Sequence, residues 1–204
     1  MSFHIHYLDF IYLYVGWLPA ILYLLTKRTS FLRDSILIIL TELYFSFKII
    51  DDYSYVCDFK FYYIFIGIIT GFVVFTLEYI IGRKRIYKKV TLKLSEILII
   101  LGIVAPEELY FRMAIKEWLY RKSIININYE IIFIFLSALV LVINHYQSFF
   151  DKIVFWQKFL IEGILLSIVF LCVKTIWINI IAHLVFNLIN IVLYKKGDDI
   201  FEKN

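Results

Sequence analysis

The sequence predicts an all-α fold, a polytopic transmembrane helix bundle of about seven spans (six to eight), with its site in the C-terminal half. Three observations lead there. The 204 residues are 62% hydrophobic, with a mean hydropathy of +0.83, where soluble domains run at about 45–50% apolar. Seven apolar segments of near-span length follow one another along the chain. Only 2 Pro and 7 Gly leave little room for long loops, while 20 Phe and 16 Tyr suit lipid contact and interfaces.

A span needs roughly 20 apolar residues to cover about 30 Å at 1.5 Å per residue. Segment one, Ile5–Leu25, carries Asp9 and Pro19. Segment two, Ser35–Ile50, is short and holds Glu42 and Lys48, which can pair locally. Segment three, Phe61–Gly82, is clean apart from Glu78. Segment four, Leu94–Tyr120, is long enough for one kinked helix and contains Pro106, Glu107, Glu108 and Arg112. Segment five is Tyr129–Tyr146, segment six Phe159–Val173 and segment seven Thr175–Tyr194, the last two joined almost directly at Lys174. This divides the chain into N-terminal helices with a basic loop (1–93), a core (94–196) and a polar tail (197–204).

Charge sets the orientation. Lys27, Arg28 and Arg33, the run Arg83–Lys93, and Lys195 with Lys196 mark cytoplasmic loops, and Asp51, Asp52 and Asp58 mark an outer one. Seven spans with the N-terminus outside satisfy these, leaving Arg121 and Lys122 out of place. The net charge of +4 reads as an orientation signal, so no nucleic-acid surface is expected. The partners expected are the lipid bilayer and a peptide or protein substrate. Cys57 and Cys172 lack CxxC spacing and suggest no disulfide framework or thiolate zinc site, with Cys172 expected buried in a span. The N-terminus lacks the features of a cleaved signal peptide. The abundance of Ile, Lys and Asn suggests a bacterial origin.

The informative residues are the polar ones inside the apolar segments. A charged side chain at a bilayer centre costs about 2.5–3.5 kcal/mol on insertion scales, so it faces a partner or a wet cavity. Pro106 disrupts the bond to Gly102, which places a kink one turn before Glu107. Glu108 and Arg112 are four apart, acid first, the favourable order for a helix ion pair. Glu107 lies about 100° round the helix and stays available. Asn179, His183, Asn187 and Asn190 form one stripe on segment seven. His145 ends segment five. Each cluster alone also has a plain structural reading: a helix start, a hydrogen-bonding seam between helices, an interfacial histidine. His4 and His6 lie outside any segment. Asp9, Glu42, Glu78 and Glu162 read as structural, Glu162 pairing with Lys158 four residues earlier.

Together, Glu107/Glu108/Arg112, His145 and His183/Asn187 suit water activation, with a carboxylate as general base and His and Asn as donors to an oxyanion. Two His and one Glu also make a zinc set with an open position. HExxH, GxSxG and GxGD-type motifs are absent, which disfavours zincin, serine and aspartyl proteases.

At these residues the chain resembles the CPBP (CAAX protease and bacteriocin-processing, Abi) family of intramembrane endopeptidases, related to the type-2 CAAX prenyl protease. E-E-x-x-x-R is matched by Glu107, Glu108 and Arg112. F-x-x-x-H is matched in its histidine by His145, with Leu141 in the Phe position. H-x-x-x-N/D is matched by His183 and Asn187. The gaps from Glu107 to His145 and from His145 to His183 are both 38 residues, and the resemblance covers about Leu94–Tyr194. It implies a membrane protease acting on a bacteriocin leader, a peptide pheromone or a CAAX-like substrate. Glu107 and His145 would activate water, His183 and Asn187 would stabilise the oxyanion, and Glu108 and Arg112 would support the site. The resemblance leaves a metal-free and a zinc mechanism open, the latter with Glu107, His145 and His183 as ligands. A non-catalytic immunity or scaffold protein of the same fold is the alternative. An ion-coupled transporter fits the composition but not the motif order.

Overall fold

The computed structural model describes residues 31–51, 53–82, 94–121, 129–145 and 155–193, all helix or short connection, with no strand among them. Segment one with Asp9 and Pro19, His4, His6, the loop cations Arg83–Lys93, Lys122 and the tail lie outside the described residues. The other predicted segments each coincide with a helical stretch. These are α1 (Phe31–Ile49), the single turn α2 (Ser54–Cys57), α3 (Tyr62–Gly82), α4 (Leu94–Glu108), α5 (Ile115–Arg121), α6 (Tyr129–Asn144), α7 (Leu166–Val173) and α8 (Ile176–Leu193). Among the described residues only Tyr62–Ile81, within α3, is both long and apolar enough to cross a membrane, and Tyr129–Asn144 and Ile176–Ile189 are shorter apolar helices.

Two stretches depart from α geometry. Leu109–Ala114 joins α4 to α5 as a π segment, where the Ile115 N–H reaches the Tyr110 carbonyl five residues back. Gln157–Leu165 leads into α7 as a second π segment. Such segments recur at functional sites, because the wider turn re-aims side chains. The irregularity seen near Pro106 therefore lies after the proline, over Leu109–Ala114, while the sequence had placed a kink before it. Between α7 and α8, Lys174 takes the left-handed conformation (φ 54°) and its N–H caps the Phe170 carbonyl, making the sharp reversal that the direct joint requires.

The core forms where α1, the first π segment, α5, α6 and α7 meet, around Phe45, Phe111, Trp118, Phe133, Leu141 and Phe170. Outside it, α3 keeps Phe65, Ile69, Phe72 and Ile80 uncovered. That is the pattern of a helix solvated by lipid. Its inner face meets α8 through Gly67 and Gly71. A Cβ on Gly71 would lie 2.8 Å from the Ala182 carbonyl oxygen, and one on Gly67 would lie 2.6 Å from the Ile181 Cβ. Small residues four apart allow this approach of two backbones. Gly71→Val is expected to force α3 off α8, costing about 1–3 kcal/mol by overpacking. A lowered thermal midpoint in detergent checks it.

Three local expectations are corrected. Glu42 does not pair with Lys48: Glu42 turns inward and is buried while Lys48 is exposed. Six residues along α1 place the two on different faces. Cys172 is exposed on the bundle surface, as is Cys57, and both thiols are free. Arg121 is not stranded, since it pairs with Asp51 and donates to the Ile49 carbonyl, so the misplaced cation and the acidic loop share one end of the bundle.

Candidate active site

Four helical stretches converge on Glu107 and Glu108. The last turn of α4 presents both acids, with Glu108 fully buried and Glu107 at 7% exposure. The first π segment presents Arg112, also fully buried. Its Nε lies 3.3 Å from Glu108 Oε2, as the four-residue spacing predicts. The rest of the guanidinium donates to Ser137 Oγ on α6 at 2.6 Å and to the Glu162 carbonyl on the second π segment. Ser137 in turn donates to the Phe111 carbonyl, and Ser167 on α7 lies 3.1 Å from it. Arg112 thus ties three elements to one carboxylate, using the fork geometry that suits Arg to such sites.

His183, on the stripe of α8, comes to the same acids. Its Nδ1 is 2.8 Å from Glu108 Oε1. A carboxylate there accepts the Nδ1 proton and turns Nε2 into the site. Asn179, one turn earlier, donates to the Leu166 carbonyl at 2.7 Å and reaches Glu108 Oε2 at 3.4 Å. Asn187, one turn later, is half-buried and has no hydrogen bond among the described residues. The side chain of Asn190 is not described.

His145 sits in the bend just past α6. Its Nδ1 is 2.9 Å from the Leu141 carbonyl, which fixes the ring with Nε2 facing Glu107. The contact uses the main chain of Leu141, so the departure from Phe at that position leaves it intact. The Leu141 side chain is buried in the core instead.

The result is a carboxylate between two imidazoles. Glu107 Oε1 is 3.5 Å from His145 Nε2, and Glu107 Oε2 is 3.6 Å from His183 Nε2. These gaps exceed a direct charge-assisted hydrogen bond, and a water can bridge at such a separation. The His145 side chain is 30% exposed and opens the site on that side. Each histidine faces a different oxygen of Glu107. Among the described residues, no group of three or more His, Cys, Asp or Glu meets the geometry of a metal site.

Sequence reasoning missed part of this site. Glu42 of α1 is buried, lies within electrostatic reach of Glu107 and Glu108, and leaves Oε2 without a hydrogen-bond partner among the described residues. Its signal was an acid in an apolar segment. Glu162 lies 3.9 Å from His183 Nε2 through Oε2, and the same oxygen takes Lys158 Nζ at 2.6 Å, so the anticipated pair forms inside the site. Ser137 carried no signal in the sequence.

Residues 90–189 match the Rce1-like family, described as type II CAAX prenyl endopeptidase Rce1-like, a protease family whose members are integral membrane proteins. The match contains Glu107, Glu108, Arg112, His145, His183 and Asn187, and excludes Glu42. No curated protein and no solved structure matches the chain. Residues 90–189, the stretch that builds the site, are therefore Rce1-like in sequence.

Proposed function

We propose that the chain is a multi-pass membrane endopeptidase that hydrolyses a peptide bond in a membrane-associated peptide or protein. The observation that carries this reading is Glu107 bracketed at 3.5 and 3.6 Å by two histidine Nε2 atoms, with the far nitrogen of each ring anchored. A water held beside Glu107 and His145 loses a proton to the carboxylate as its oxygen bonds to the substrate carbonyl carbon. The carbonyl π pair moves onto oxygen. His183, with Nδ1–H given to Glu108, donates from a protonated Nε2 to that oxyanion, and Asn187 is the second candidate donor. As the tetrahedral intermediate collapses, the C–N bond breaks and the amine takes the proton from Glu107. A carboxylic acid and an amine leave.

The family's name makes a CAAX-like prenylated peptide the first substrate to try. In a bacterial membrane, a bacteriocin leader or a peptide pheromone has the same chemistry. The core at 94–196 would carry catalysis, and the helices before it would frame the site in the bilayer.

The test is cleavage by the purified protein in liposomes, with a farnesylated CAAX peptide and a leader peptide as probes. Glu107→Ala and His183→Ala should each abolish it. Cleavage that survives both substitutions overturns the site assignment. Proton-linked uptake with no cleavage would make the chain a transporter. Chelator titration addresses zinc, and the metal-free route predicts full activity in excess chelator.

A further inference from the structure

Lys158 is a cation near Glu107 that the reaction above leaves unused. It lies on the second π segment, outside every motif that drew attention to the site. Its Nζ is 2.6 Å from Glu162 Oε2, and that same oxygen is 3.9 Å from His183 Nε2. The ammonium and the imidazole therefore both approach one carboxylate oxygen. Lys158 also interacts electrostatically with Glu107 and Glu78. Its side chain is 22% exposed, whereas that of Arg112 is sealed at 0%.

Glu162 does not wander with its lysine. Its carbonyl accepts from Arg112 Nη2, which pins the main chain of this segment to the base of the site. A lysine on a flexible four-carbon stem, held by one anchored acid, can move its charge a short way without losing its partner. Asn187, the expected second oxyanion donor, has no hydrogen bond among the described residues; His145 faces one oxygen of Glu107, and His183 faces the other while sharing Glu162 Oε2 with Lys158.

From this juxtaposition we infer that Lys158 is a further catalytic residue, its ammonium stabilising the oxyanion of the tetrahedral intermediate together with His183 Nε2. The inference rests on the proposed peptide hydrolysis. No proton leaves Lys158 in this role. It faces the oxygen that gains charge and returns to Glu162 when the intermediate collapses. Preorganised positive charge in a site shielded from water acts more strongly in the transition state than in the ground state.

The experiment is steady-state cleavage of the farnesylated CAAX and leader peptides in liposomes by four proteins: the wild type, Lys158→Gln, Lys158→Arg and the double variant Lys158→Gln/Glu162→Gln. Lys158→Gln should lower kcat by about 100-fold, the size of losing one oxyanion donor, with little change in KM. Lys158→Arg should recover much of the loss. The double variant decides between roles. If Lys158 acts on the oxyanion, the double variant stays slow although no acid is left unpaired. If Lys158 only neutralises Glu162, removing both charges restores kcat, and the inference falls. A wild-type kcat in Lys158→Gln also overturns it. The double variant keeps the test valid should the single variant fold poorly. A wild-type protein that cleaves no probe fails the hydrolysis reading itself, and the inference with it. Cleavage by the wild type that does not depend on Lys158 fails the inference alone.

Discussion

Glu107→Gln is expected to lower kcat for peptide cleavage by about 10³-fold, within the range for loss of a general base. The amide keeps the size and one acceptor oxygen, so the bracketing by His145 and His183 changes little. What it cannot do is take the proton of the attacking water. Substrate binding should survive, leaving KM close to that of the wild type and placing the effect in the chemical step. Glu108→Gln should behave differently. Its carboxylate faces His183 Nδ1 and Arg112 rather than the open side. Losing it frees the His183 ring, and kcat should fall without removal of the base. Single-turnover cleavage with both variants separates the roles. A Glu107→Gln protein that keeps more than a tenth of the wild-type kcat would move the base elsewhere.

Arg112→Met should be the most damaging change to the folded state. It leaves Glu108 buried without its cation, and Ser137 Oγ and the Glu162 carbonyl without their donor. Breaking a buried pair from one side costs about 3–5 kcal/mol, a large part of the stability of an ordinary domain. Arg112→Lys keeps the charge but not the fork, so it should recover only part of the loss. The double variant Glu108→Gln/Arg112→Met should be more stable than Arg112→Met alone, since no charge is stranded, yet it should remain inactive because His183 has lost its carboxylate. Thermal midpoints in detergent, read with cleavage rates, check this. If Arg112→Met melts like the wild type, the bracing role is wrong.

The sequence showed the parts of the site that depend on spacing. Glu108 and Arg112 pair because four residues bring side chains together on a helix. Asn179 and His183 share a stripe for the same reason, and Lys158 and Glu162 repeat it. Motif order was enough to place His145 with Glu107 across a loop that spacing cannot cross. What stayed hidden depends on packing between distant elements. Which way Glu42 turns is decided by what α1 packs against, and its own helix offered Lys48 as the nearer partner. Ser137 looks like any small residue of an apolar helix until Arg112 arrives beside it. The π segments change the hydrogen-bond register over a few residues, which apolar periodicity does not record. For the same reason Cys172 was expected inside and lies outside: apolarity alone does not tell a lipid-facing position from a packed one.

The glycine contact between α3 and α8 has a consequence for how the enzyme responds to its solvent. α3 is long and apolar enough to cross a membrane and leaves most of its surface uncovered, and it approaches the His183 helix closely at Gly67 and Gly71. A helix whose apolar length differs from the local acyl thickness tilts to match it. Here that tilt cannot be absorbed by bending side chains at the seam, because Gly67 and Gly71 have none. Under the proposed function, acyl-chain length thus becomes a mechanical input to the position of the His183 imidazole, and the choice of reconstituting lipid is part of the assay.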